Sequence, residues 1–216
     1  MRAIFFDLDN TLYDTSKYYH RAFESISKSL SEKTKQNENI IYHKLCEKWI
    51  EKTSMYPNLF DDVLSKLGIE NNIQGIVEIF NNQPIKKDDY YSDASTILKK
   101  QKGQYKLGII TNGKITRQKN KIEKFDMNEI IDLIVYTKKI APKPSPLPFE
   151  YAINELDIES SKSYYVADNP RIDFFGAKKA GMNTVRILRG EYAKIPSDEY
   201  VDNTINEMKE LLDIIN

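Results

Sequence analysis

Asp7 and Asp9 stand one residue apart in "IFFDLDNTLYD" (residues 4–14), directly after an apolar run. Two like charges so placed repel each other and need a reason to sit there. Three later stretches offer matching chemistry. Thr111, Asn112 and Gly113 follow "YKLGII". Lys143 lies between two prolines in "APKPSPLPF". Asp168 opens "DNPRID", which ends on Asp173. Taken singly, each has a plain structural explanation: Asp, Asn and Thr make turns and helix caps, and a lysine before proline is usually a solvated loop residue. Taken together they supply carboxylates, one hydroxyl, one ammonium group and free backbone N–H groups. That set suits a hard cation and a phosphate. Carboxylate oxygens ligate Mg²⁺, which keeps waters and a substrate phosphate, and lysines and helix N-termini neutralise phosphate oxygens.

These stretches gain force from the elements that must hold them. "IFF", "YKLGIITNG" (105–113), "IIDLIVYT" (130–137), "SYYVADN" (163–169) and "NTVRIL" (183–188) read as strands. Helical patterns lie between and after them: "DASTILKKQ", "ITRQKNKIEKF", "PLPFEYAINEL", "IDFFGAKKAG" and "TINEMKELLDII". Strand–helix alternation predicts an α/β fold, a Rossmann-like doubly wound parallel sheet with helices on both faces. In such sheets ligands bind beyond the carboxyl ends of the strands, where the four stretches fall. Residues 15–85 differ in texture. Four helical patterns fill them, beginning near residues 16, 37, 58 and 72, with no strand-type alternation. The expected organisation is an α/β core domain of residues 1–14 and 86–216 with a small all-helical domain, 15–85, inserted after the first strand.

Bulk properties narrow the function classes. The 216 residues carry 32 basic and 32 acidic side chains, so no global positive field favours nucleic acid. The single cysteine, Cys46, excludes an internal disulfide and a cysteine zinc cluster; its helical setting reads as core packing. No stretch approaches the length of a membrane span, and the first residues read as a strand rather than a signal peptide. A cytoplasmic protein, monomer or homodimer, with neither a nucleic acid nor a membrane as partner, is the expectation.

With the four stretches in order, the chain resembles the haloacid dehalogenase-like hydrolases, a superfamily made up mostly of phosphatases. "DLDNT" matches the first motif, DxDxT. Thr111 matches the hydroxyl of the second, and Lys143 in "KPSPLPF" the lysine of the third. "ADNPRID" matches the fourth, GDxxxxD, with Ala167 where glycine is usual. The likeness extends to the helical segment after the first motif. It implies Asp7 as nucleophile and Asp9 as general acid–base. It implies Mg²⁺ held by Asp7, the Asp9 backbone carbonyl and Asp168, with Asp173 supporting. Thr111, the Asn112 N–H and Lys143 would hold the phosphoryl oxygens, and Lys143 would also offset the nucleophile's charge. Dehalogenases of the superfamily lack the second aspartate of the first motif, so Asp9 favours a phosphatase.

The resemblance implies that the helical insert closes over the site and sets specificity for a small soluble phosphomonoester: a sugar phosphate, a phosphoglycolate-like ester or a nucleotide. A phosphomutase on the same scaffold is the alternative, and a non-catalytic binding protein a lesser one. Tyr13, Lys17, Tyr18 and His20 fall near the first hinge; Tyr18 and His20 read as packing and Lys17 as solvated. "KITRQKNKIEK" (114–124) reads as a solvated basic helix face, with Lys114 or Arg117 in reach of anions.

Overall fold

The computed structural model describes residues 1–70 and 73–215. The chain divides into two compact units, Met1–Asp14 with Ile85–Asn216, and Thr15–Pro84.

The first unit is a six-stranded, all-parallel sheet. In chain order its elements are β1 (Ala3–Phe6), then after the second unit α5 (Ser92–Gln101), β2 (Lys106–Thr111), α6 (Ile115–Lys124), β3 (Leu133–Tyr136), α7 (Leu147–Glu155), β4 (Ser163–Ala167), α8 (Phe174–Lys179), β5 (Asn183–Ile187), β6 (Asn203–Ile205) and α9 (Leu211–Ile215). The intervening α1 to α4 belong to the second unit. The strand order is β3-β2-β1-β4-β5-β6. The order turns about β1, which pairs with β2 on one side (Phe6 opposite Ile109) and β4 on the other (Phe6 opposite Val166). A strand flanked on both edges and covered on both faces must be apolar throughout, and all four β1 residues are fully buried. One core layer under the sheet gathers Phe5, Ile110, Phe149, Tyr165, Phe174 and Met182.

Two departures from expectation concern the C-terminal end and the start of β3. "TINEMKELLDII" is not one helix: Asn203–Ile205 forms the edge strand β6, and the helix begins only at Leu211. The pairing Ile187 with Ile205 extends the sheet by one short strand that a single apolar residue does not announce. Residues 130–132 precede β3 rather than forming part of it.

The second unit holds α1 (Thr15–Thr34), α2 (Glu38–Lys52), α3 (Leu59–Leu67) and α4 (Ile73–Asn81). The expected start of the fourth helix at residue 72 lies outside the described residues. Asn37 caps α2 by accepting from the Asn39 and Ile40 N–H groups. Gly68 ends α3 in the left-handed conformation, which costs glycine nothing. Phe23, Ile26, Leu45, Trp49, Val63 and Ile76 form its core, with Trp49 stacked on Tyr19 at 4.9 Å between centroids. Cys46 is half-buried beside this core, its Sγ 3.9 Å from His20 Nδ1, and His20 Nδ1 lies 2.8 Å from the Tyr42 hydroxyl. Among the described residues no helix is long and apolar enough to cross a membrane.

Candidate active site

The site begins with a tight turn at the end of β1. Asn10 takes a left-handed φ of 55°, a conformation asparagine tolerates. The Leu12 and Tyr13 N–H groups return to the Leu8 carbonyl at 3.0 and 2.9 Å. This curl lets Asp7 and Asp9, one residue apart, point to different partners.

Asp7 joins a buried cluster. Lys143 Nζ lies 2.6 Å from Asp7 Oδ1 and 2.6 Å from Asp173 Oδ1, and 2.9 Å from the Tyr165 hydroxyl. The Tyr165 hydroxyl donates to Asp173 Oδ1 at 3.1 Å, and the Asn169 N–H to Asp173 Oδ2 at 3.1 Å. Thr11 Oγ1 donates to Asp168 Oδ1 at 3.3 Å. Four side chains from three strand ends therefore converge: Asp7 after β1, Lys143 in the loop after β3, Asp168 and Asp173 after β4. The lysine loop is fixed by Asn112. Its side-chain oxygen accepts from the Thr137 hydroxyl (2.6 Å) and the Lys143 N–H (3.0 Å). Across the same loop, a Cβ at Gly176 would stand 2.5 Å from the Pro144 carbonyl oxygen, so only glycine lets α8 approach it.

Charge in the cluster is unbalanced, with three carboxylates to one ammonium. Burial, then the Asp173 and Asp9 charges, pushes the Asp7 carboxyl up to about 7 against the opposing pull of Lys143. Burial, then the Asp173 and Asp7 charges, raises Asp168 well above the carboxylate range. Burial works against the charge on Lys143, but Asp173 and Asp7 override it and hold the lysine protonated. Asp7, Asp168 and Asp173 each offer an oxygen within 4.8 Å of the others, and Asp168 Oδ2 is buried with no hydrogen-bond partner among the described residues. An all-oxygen, surplus-anionic donor set with a free buried carboxylate oxygen fits a small hard divalent cation such as Mg²⁺.

Asp9 stands apart from this cluster, its carboxylate about a third exposed. Lys121 Nζ donates to its Oδ1 and Gln118 Nε2 to its Oδ2, the latter at 3.0 Å. Burial tends to raise the Asp9 carboxyl, but the Lys121 charge and hydrogen bond, with Arg117, outweigh it and bring it below the usual range. Gln118 Nε2 also reaches Thr111 Oγ1 at 2.7 Å and the Asn112 carbonyl at 3.0 Å. Thus α6 is not a wholly solvated face: Gln118 and Lys121 are buried, three residues apart on its inner side, whereas Lys119, Asn120, Glu123 and Lys124 are exposed. A polar pair at helical spacing just after the Thr-Asn-Gly turn was the available sequence signal. Tyr13, expected near a hinge, is fully buried, with Lys121 Nζ 4.6 Å from its ring centroid. Tyr18 is buried in the helical unit, its hydroxyl donating to the Phe80 carbonyl.

Fold and site define a doubly wound α/β protein with an aspartate-centred site where the strand order turns. More narrowly, the chain belongs to the haloacid dehalogenase-like hydrolase family, which residues 4–187 match. It is 31% identical to the glyceraldehyde 3-phosphate phosphatase of Methanocaldococcus jannaschii, across this whole chain and 97% of that protein. It is 26% identical to the human N-acylneuraminate-9-phosphatase, across this whole chain and 95% of that protein. A putative beta-phosphoglucomutase from Thermotoga maritima superposes with a TM-score of 0.76 over this whole chain and 98% of that one; at 16% identity it shows the fold alone. The chain is accordingly an enzyme of a hydrolytic family whose named relatives here are phosphatases.

Proposed function

We propose that the protein is a Mg²⁺-dependent phosphatase that hydrolyses a small phosphomonoester through an aspartyl-phosphate on Asp7. The observation that carries this reading is the Lys143 ammonium held 2.6 Å from both Asp7 and Asp173, beside the unpartnered Asp168 oxygen. An aspartate so placed is stripped of water, aimed by its lysine and held among groups that select a phosphoryl dianion over a neutral ester. Asp7 Oδ attacks phosphorus; a new P–O bond forms as the ester P–O bond breaks, and Asp9, once protonated, delivers its proton to the departing alkoxide. A water then attacks the aspartyl-phosphate, Asp9 takes its proton, and inorganic phosphate leaves with Asp7 restored. Pairing with Lys121 favours the ionised Asp9 that this second half requires. The Thr111 hydroxyl, the Asn112 N–H and Lys143 bind the phosphoryl oxygens. Asp7, the Asp9 carbonyl and Asp168 would hold Mg²⁺, supported by Asp173, and the ion would offset negative charge on the transferring group.

The relatives' activities favour a three-carbon sugar phosphate as the first ester to try, with the helical unit selecting among esters. The test is phosphate release from glyceraldehyde 3-phosphate and p-nitrophenyl phosphate by purified protein, with Mg²⁺ and after exhaustive EDTA. Release that needs Mg²⁺ is expected. Full activity in EDTA overturns the metal assignment. Isomerisation of a sugar phosphate without free phosphate would make the protein a phosphomutase, and ester binding without turnover a non-catalytic scaffold.

A further inference from the structure

The Asp9 carboxylate is held at both oxygens by a single helix. Lys121 takes one oxygen and Gln118 the other, and the same Gln118 amide nitrogen reaches Thr111 Oγ1 and the Asn112 carbonyl. Neither residue has a packing reason to be there. A lysine only 1% exposed and a glutamine 2% exposed are costly in a core unless their polar ends are satisfied. A buried ion pair is at best a weak stabiliser against apolar residues of like volume. The Lys121 ammonium lies 4.6 Å from the centroid of the Tyr13 ring, so its charged end, not only its stem, is held at this place. What the two residues do that apolar ones could not is fix the orientation of a partly exposed carboxylate, and fix it relative to the Thr-Asn-Gly turn.

We infer that Gln118 and Lys121 form a positioning arm that sets the Asp9 carboxylate in register with the phosphate-binding turn. The inference rests on the phosphatase reading, and the arm itself touches neither phosphorus nor ester. A carboxylate on a short side chain with two rotatable bonds has several orientations open to solvent. Two donors three residues apart on one rigid helix leave it one. Proton delivery needs that orientation, because the acid must meet the departing oxygen at hydrogen-bond distance. Nucleophilic attack by Asp7 does not, because Asp7 has its own lysine on a different loop. The arm therefore acts on one half of the machinery, and its removal has a signature that general damage to the site lacks.

That signature is dependence on the leaving group. A p-nitrophenolate leaves without a proton, whereas an alkoxide must receive one. The experiment compares kcat/KM, with Mg²⁺ present, for p-nitrophenyl phosphate and for glycerol 3-phosphate in wild type, Lys121→Met and Gln118→Leu, with melting temperatures alongside. Lys121→Met is expected to lower kcat/KM for the alkyl ester about a hundredfold and for the aryl ester less than about tenfold. Gln118→Leu should show the same inequality with a smaller alkyl loss, KM for the aryl ester staying within a few-fold. Lys121→Arg should recover part of the alkyl rate. Equal losses on both esters, or no loss on either, would overturn the arm while leaving the phosphatase standing. Failure of the wild type to hydrolyse both esters would bring down both readings together. Should Lys121→Met fail to fold, Gln118→Leu and Lys121→Arg still decide the question, since each keeps the buried lysine charge or replaces it in kind.

Discussion

Two pairs of carboxylates in the α/β unit show opposite electrostatics. At the carboxyl ends of β1 and β4, Asp7 and Asp168 are driven upward by burial and by the Asp173 charge they share. Away from the site, Asp132 and Asp202 are driven downward. Each sits on a lysine and a backbone N–H, Lys106 and Leu107 for Asp132 and Lys178 and Thr184 for Asp202, which also accepts from the Thr184 hydroxyl. The second group is partnered so that its charge favours the fold. The first is held at an energetic cost by a structure that gains nothing from it until a ligand brings positive charge. Sites that bind and react are commonly built this way, with titratable groups pushed from their ordinary values by burial and like charge.

The contrast breaks most sharply at Asp7. Asp7→Asn keeps the shape and one acceptor for Lys143 but removes the nucleophilic charge, so kcat should fall about a thousandfold or more. The fold should not suffer, because one of three crowded carboxylates has been neutralised; the melting temperature of the metal-free variant should match or exceed that of wild type. Calorimetry beside a rate assay, on protein free of deamidated material, reads both. A variant that lost stability along with activity would place Asp7 in the structural group.

The next effect is a slope. An acid whose folded value lies above its unfolded one binds more protons folded than unfolded between the two. For Asp7 the window runs from 3.8, its ordinary value, to about 7. Metal-free protein should therefore lose stability as pH rises through that window, at up to about 1.4 kcal/mol per pH unit for each such group. The downward-shifted carboxylates contribute stability that is fully present above 3.8 and so stay flat across it. If Mg²⁺ is the ion, it would bind the deprotonated ligands and should raise the melting temperature more at pH 7 than at pH 5. Chemical denaturation in EDTA at pH 5, 6 and 7 checks the slope. Stability that rose with pH would show the cluster to be internally compensated.

The Asp7 cluster and the pair that holds Asp9 were unequally legible. Asp7, Lys143, Asp168 and Asp173 follow apolar strands, and strand order turns an otherwise scattered set into neighbours; the sequence carries both signals. Gln118 and Lys121 lie in "ITRQKNKIEK", where six of ten residues are basic or amide-bearing, and a helix so polar reads as solvated. What buries them is a partner more than a hundred positions away, which local periodicity cannot see. Tyr165 was hidden for the opposite reason. In "SYYVA" it reads as one more strand residue, yet its hydroxyl lies on both Lys143 and Asp173. The edge strand β6 escaped because three residues with one buried side chain carry no period.

The smallest predicted effect lies in the partnered group. Asp202 Oδ2 accepts from the Thr184 N–H at 2.9 Å and from Lys178 Nζ at 2.7 Å, tying the approach to β6 onto β5. Its carboxyl is lowered because the Lys178 hydrogen bond, then the Thr184 N–H, outweigh the opposing effect of burial. In Asp202→Asn the amide oxygen can still accept from Thr184, so only the ion pair is lost. With the carboxylate 34% exposed, water screens that pair, and the cost at pH 7 should be about 0.5 kcal/mol. The sign in pH is the reverse of the site's. A lowered carboxyl stabilises above 3.8, and that contribution is lost as pH falls through its folded value. The gap between variant and wild type should therefore narrow as pH falls below 3.8, and shrink at pH 7 in 1 M salt. Hydrolysis rates should be the same in both proteins, since nothing in the Asp7 cluster depends on this pair. Paired denaturation curves at pH 7 and pH 3 test it. A gap as large at pH 3 as at pH 7 would mean that Asp202 acts by shape or hydrogen bonding rather than by charge, and the division between strained and partnered carboxylates would lose one of its two examples on the stabilising side.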